Sequence, residues 1–330
     1  MKNIKSFLAK AALAVITTVF FVACEDDLYS KELLVFMRNW SESSYNIKKS
    51  YSKDGSLTIN GQTELKFPLY LTRESVVDVS VGVVMDETLV GVYNATNNTA
   101  YNALPKEAVK VSDNITISAG TLRSADSISV LFNYEKIKPG TYLVPIKIGN
   151  VESADKGIQG SSSINAGVLY YQFSVELDNI DNLDFEPLKG EKVDRANWKI
   201  TCDDEPNVNA PVTNLIDGDR KTDYIGTKKV FGTILVDMGQ EHNLKGFTFY
   251  HTGTYFGSPT KFQVYASSDG EEWVDYGLAG KYIFSITIQD IEYGINFFVP
   301  VSCRYFKLQL KEVYLSSVYP VRFSELDAIK

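Results

Sequence analysis

The strongest constraint on the fold is a period-two alternation of apolar residues that recurs through both halves of the chain. In the first half Leu65, Phe67, Leu69 and Leu71 keep this spacing, as do Val77, Val79, Val81, Val83 and Met85. Ile115 and Ile117, then Ile128, Val130 and Phe132, then Tyr142, Val144, Ile146 and Ile148, and finally Tyr171, Phe173, Val175 and Leu177 continue it. Successive strand side chains point to opposite faces, so this spacing sends one face into a core and leaves the other to water. Lys53-Asp54-Gly55, Ala119-Gly120 and Lys138-Pro139-Gly140 separate the runs as turns. The pattern predicts an immunoglobulin-like β-sandwich over residues 30–178.

The second half reads the same way. Strands are expected at Ile234–Asp237, Leu244–His251, Lys261–Ser267, Tyr282–Ile288, Ile295–Val299, Tyr305–Leu310 and Val321–Ile329, which fits a two-sheet jelly roll over 193–330. Residues 179–192 are polar, acidic and without alternation, and read as a linker. Neither a long amphipathic helix nor an internal repeat interrupts this all-β reading. A length of 330 residues suits two domains, and 44% hydrophobic content can fill both cores. The net charge of -8 leaves no basic patch to displace counterions, which excludes a nucleic-acid partner.

The N-terminus carries an address. Lys2, Lys5 and Lys10 form a basic region, and Ala11–Val22 is an apolar run too short for an ordinary span of about 20 residues. Phe21-Val22-Ala23-Cys24 resembles a lipobox, which implies a signal peptide over 1–23 and a lipid on Cys24. Glu25-Asp26-Asp27, within a tether over 24–29, resembles the export tag of surface lipoproteins of Bacteroidetes-type bacteria. The expected location is the outer membrane, facing the cell exterior.

Several motifs in the second half occur in a telling order. They are Ala210-Pro-Val-Thr-Asn-Leu-Ile-Asp-Gly-Asp-Arg-Lys-Thr222, Ser267-Ser-Asp-Gly-Glu-Glu-Trp273, Cys303-Arg-Tyr-Phe-Lys-Leu308 and Ser324-Glu-Leu326. Together they resemble a discoidin domain, also called the coagulation-factor 5/8 C-terminal type, or carbohydrate-binding module family 32. In the first half Glu87–Asn94, Tyr101–Pro105, Ile117–Gly120 and Tyr142–Ile146 resemble an N-terminal domain of unknown function common in Bacteroidetes surface lipoproteins. That second resemblance implies a spacer, with Tyr93, Tyr101 and Pro105 as packing and turn residues.

The discoidin resemblance implies site residues. A structural calcium would be held by the Asn214 carbonyl, Asp217, Asp219, Thr222 and Glu325, since calcium takes about 6–8 oxygens in loose geometry. A polar turn in which Asp217 and Asp219 cap backbone amides is the plainer reading of the same residues. This chain has Asp223-Tyr224 where the family has a Trp soon after the Thr. Sugar recognition needs an aromatic face and a few oriented polar groups. The candidates are His251, Tyr255 and Phe256 after a strand, Tyr224 and Lys229 after the calcium turn, and Tyr319 near the C-terminus. Trp198 and Trp273 sit at motif positions expected in the core, and Arg304 at one expected to be a paired structural arginine. In such folds the chain ends approach each other, so Cys202 and Cys303 would pair or remain as two free thiols.

Catalysis finds little support. There are two His and no Ser/His/Asp constellation, and no glycine loop for phosphate. Paired carboxylates are the one route left open, that of a glycosidase. The sequence therefore predicts a non-catalytic, calcium-containing surface lipoprotein that binds glycan and works with polysaccharide-uptake proteins. The alternative is a structural or adhesive surface protein whose second domain binds protein.

Overall fold

The computed structural model describes residues 32–38, 43–163, 165–203, 207–226, 232–251, 257–280, 290–314 and 319–330. By contacts the chain divides into two compact units. One comprises the residues up to Asn46 with Gly61–Ser174, and the other Ile47–Asn60 with Val175–Lys330.

Both units are built from strands, as the alternation requires. Burial follows the predicted period: Leu65 and Phe67 are inside with Lys66 out, and Ile128, Val130 and Phe132 are inside with Leu131 out. In the first unit Leu34–Met37 lies between Gln159–Gly160 and Leu69–Leu71, and Ile128–Phe132 lies between Glu64–Phe67 and Val109–Val111. The largest sheet includes Gly140–Ser153 flanked by Val79–Met85 and Val168–Asp178. Val79, Val81, Ile117, Val130 and Ile146 are fully buried, and Phe132 packs on Phe173 at 4.7 Å between ring centres.

A helix at Thr88–Asn97 departs from the all-strand reading. Asp86 accepts hydrogen bonds from the Thr88 amide and hydroxyl at its start, and Asn98, at φ 53, closes it in the left-handed region. Tyr93 packs on Tyr170 and Tyr101 at 4.8 and 6.2 Å, and Pro105 precedes the 3-10 turn Lys106–Ala108.

The second unit is framed by two long antiparallel strands, Thr233–His251 and Ile291–Val313. Their register breaks between Asp237/His242 and Leu244/Gly246. On one side of the breaks Thr233–Asp237 pairs with Tyr305–Gln309, Lys199–Cys202 adds to one edge, and Pro259–Ser267 with Val274–Gly280 adds to the other. On the far side Gly246–His251 pairs with Ile291–Asn296 and with Glu325–Ile329. Breaks of this kind bend a strand, so the same two strands serve both layers around one core. Gly246 has φ +151, and a Cβ there would lie 2.0 Å from the Ile295 carbonyl oxygen, so no other residue fits. Phe247, Phe249, Phe306 and Phe323 fill the core with Leu326, and Trp198 joins them at its expected place, edge-on to Phe306 at 5.8 Å.

Residues 179–192, read from sequence as a linker, are laid against the second unit. The Asn179 side chain bonds both ways with the Val299 main chain, and the Asp181 amide donates to the Asn296 carbonyl. The Gly294 amide donates to Phe185, and Lys192 bridges to Ile329.

The cysteine alternative resolves to free thiols. Cys202 pairs across to Ile234, which pairs to Leu308, while Cys303 lies five residues further along that strand. At ~3.3 Å per residue that is about 17 Å, far beyond the ~7 Å Cα limit for a disulfide. Burial pushes the Cys303 thiol pKa up to about 12.

Candidate functional site

The turn after the 3-10 segment Val212–Ile216 closes on itself. Asp217 accepts the Asp219 amide at 2.8 Å and the Thr222 hydroxyl at 2.6 Å. Asp219 accepts the Lys221 amide at 2.9 Å, and the Asn214 side-chain amide donates to the Asp223 carbonyl at 2.8 Å. Gly218, at φ +85, turns its amide to Glu325 at 2.9 Å. The other Glu325 oxygen faces the Arg195 guanidinium.

That guanidinium sits where oxygens converge. Its Nη1 is 3.5 Å from the Leu215 carbonyl, 3.3 Å from that of Leu326 and 3.4 Å from the Asp327 carboxylate. Glu325 and Asp327 are 4% and 5% exposed, so their charges need an answer inside the protein; Arg195 faces both, and Lys192 also pairs with Asp327 at 2.5 Å. Among the described residues no three acidic, His or Cys groups gather as a metal site. The side chains expected to hold calcium are instead engaged within the protein. Asp217 takes the Asp219 amide and the Thr222 hydroxyl, Asp219 takes the Lys221 amide, and an arginine takes the Glu325 charge, while the Asn214 side-chain bond leaves its expected carbonyl ligand unaddressed. No step below is routed through a metal.

Of the predicted sugar-binding residues, Tyr224, His251 and Tyr319 are described. Tyr224 is not in a loop. It lies in the short strand Tyr224–Ile225, paired to Phe323, 2% exposed and edge-on to that ring at 5.9 Å. Its hydroxyl is 3.3 Å from the Cys202 sulfur. His251 is fully buried, and neither ring nitrogen meets hydrogen-bonding geometry. Burial pushes its imidazole pKa down to about 4, against the opposing pull of the Asp223 carboxylate. Neither side chain is placed to touch a ligand. Tyr319 is exposed. Lys229, Tyr255, Phe256 and Cys24 lie outside the described residues.

The charges near His251 are mutually satisfied. Asp223 takes Arg322 Nε at 2.7 Å and the Ser324 hydroxyl at 2.7 Å. Arg220 stacks 4.2 Å from the Tyr250 ring centre and pairs with Glu292 at 3.1 Å. Arg304 makes a two-point pair with Asp237, at 2.8 and 2.9 Å, as a paired arginine should.

A larger concavity lies on the open face of the larger sheet. Register sets Thr201 beside Leu235, Leu235 beside Lys307, and Lys307 beside Tyr265, so these four form one cross-strand row. Gln309 stands beside Thr233 in the next row. Trp273 arrives from the Ser267–Trp273 turn, anchored by its indole N–H to the Gly270 carbonyl at 3.1 Å. The cleft measures ≈ 530 Å³, within the roughly 300–1,000 Å³ common for small-ligand sites. Lys307 places its ammonium 3.5 Å from the Trp273 ring centre. Trp273 is half-buried rather than a core residue, and its motif position had hidden it as a candidate.

A two-layer sandwich whose long strands cross between layers defines a discoidin-type β-sandwich. Residues 199–320 match the model of the F5/8 type C domain, so the chain carries a C-terminal domain of that family. Residues 29–155 match a model described as an N-terminal domain. A two-domain protein of unknown function from Bacteroides fragilis is similar over 91% of this chain and 95% of its own, at 18% identity and TM-score 0.41. A family 32 module from Clostridium perfringens, in complex with GalNAc-β-1,3-galactose, is similar over 42% of this chain and all (100%) of its own, at 18% identity and TM-score 0.36. The family 32 module of Clostridium perfringens NanJ, in complex with galactose, is similar over 42% and 98%, at 13% identity and TM-score 0.36. No curated protein matches.

Proposed function

We propose that this protein is a non-catalytic, glycan-binding lipoprotein of the bacterial outer membrane, facing the exterior and accessory to polysaccharide capture. The observation that carries the binding reading is the F5/8 type C match over residues 199–320. Tyr255 and Phe256 remain the proposed stacking residues, and Lys229, in the segment after the Asp217–Thr222 turn, a proposed polar contact. The lipid on Cys24 supplies the tether, and polysaccharide-uptake proteins are the proposed partners.

The test is a glycan array probed with the full chain. Wild type is expected to bind, and Tyr255→Ala with Phe256→Ala to weaken binding by about tenfold, the scale of losing one ring contact. Silence across the array from a folded protein would overturn the reading and favour an adhesive surface protein. The anchor has a separate check. Cys24→Ala should move the protein out of the outer-membrane fraction, and retention there would exclude lipidation as the tether.

A further inference from the structure

We propose that the cleft on the open face of the larger sheet binds an acidic sugar, with Lys307 as the partner of its carboxylate or sulfate and Tyr265 and Trp273 as its apolar walls. The inference rests on the glycan reading above but names a different site and a ligand charge.

Three observations point the same way. The row Thr201–Leu235–Lys307–Tyr265 crosses four strands, a width of about 14 Å at ~4.8 Å per strand, and offers alternating apolar and polar surface. Lys307 is half-buried and has no carboxylate partner among the described residues; its one charge contact is the Trp273 ring. Burial holds that ammonium below the usual lysine range. A partly desolvated cation without a counter-ion gains most from an anion brought by a ligand. Neither nearby carboxylate pairs with it: Asp203, which also lines the cleft, accepts the Thr233 amide, and Asp275 accepts the Gln263 side chain at 2.6 Å and the Gly277 amide at 2.9 Å. By contrast Arg304 and Arg322 have their carboxylates, and among the described residues lining the cleft Lys307 is the cation.

The sugar ring has matching surface. Tyr265 is half-buried beside Lys307, and Gln309, Thr201 and Thr233 supply hydrogen-bonding groups around it. Because the chain carries a net charge of -8, a polyanion is not drawn to its surface in general, and retention would report a local site.

The test measures binding of polygalacturonate, hyaluronate and chondroitin sulfate to the full chain, with methyl-esterified polygalacturonate as the uncharged comparison. Wild type is expected to bind at least one acidic glycan, and Lys307→Met to lose about ten- to a hundredfold, the range for one charge-assisted hydrogen bond. Tyr265→Ala should weaken the same ligand, while Lys311→Met, on the same strand but outside the cleft, should not. Thermal melts show that each variant is folded. Equal binding by wild type and Lys307→Met overturns the proposal, as does binding of neutral glycans with none of the acidic panel. Silence toward every glycan overturns this proposal and the glycan reading together.

Discussion

Replacing Arg195 with methionine should destabilise the second unit by roughly 3–5 kcal/mol, the usual consequence of stranding a buried charge. Glu325 and Asp327 are both buried; Lys192 also pairs with Asp327, so Arg195, within reach of the Leu215 and Leu326 carbonyls, is the cation whose loss strands Glu325. In a unit of this size each kcal/mol moves the melting midpoint by about 2–4 °C, so the drop should be on the order of 10 °C. Adding Glu325→Gln to the methionine variant should recover part of it, because the stranded charge is then gone. Lowering the pH should also narrow the gap, since burial already raises the Glu325 pKa and protonation removes the same charge. Calcium or a chelator should move the wild-type midpoint by no more than about 1 °C, because a ligand bound only by the folded form would stabilise it by mass action. A rise of several degrees with calcium, or an Arg195→Met protein as stable as wild type, would sink this account of the turn.

The second large effect is a pH dependence centred on His251. In the unfolded chain the imidazole titrates near 6.5, while in the folded unit burial drops it to about 4. Above pH 6.5 the ring is neutral in both forms and costs nothing. Between 6.5 and 4 the unfolded chain binds a proton that the folded one refuses, so stability falls as pH falls through this window. At ~1.4 kcal/mol per pH unit the full loss is roughly 3 kcal/mol. His251→Leu removes the proton site from both forms. Its denaturation midpoint, measured at pH 7, 5.5 and 4.5, should decline less steeply than wild type. Parallel declines would mean that the ring protonates in place and that its burial carries no such penalty.

Much of the strand pattern could be read in advance because alternation is a direct trace of burial. The same rule, carried two residues further, would have placed His251 correctly: Phe247, Phe249 and His251 keep period two and all point inward. Reading the histidine as a ligand weighed its chemistry above its spacing. Tyr224 was lost differently. Its strand is two residues long, too short for any periodic signal, and only pairing with Phe323 reveals it. The helix Thr88–Asn97 buries only Val90 and has no acidic residue in its first turn or basic residue in its last, so neither amphipathicity nor charge announces it. The sheet-face cleft is a matter of register. Thr201, Leu235, Lys307 and Tyr265 come from four separate strands, and nothing in their order along the chain says that they are neighbours. Arg195 was hidden for the same reason, since it lies 130 residues from Glu325.

The meeting of the second unit's two ends has a mechanical side. The Val193 amide bonds to Ala328, the Lys330 amide bonds to Glu191, and Lys192 bridges to Ile329, so the entering and departing chains run side by side. Tension applied between those two ends would open the pairing like a zipper, one bond at a time. A heavy partner fused after Lys330 would make this seam the first place to part under flow.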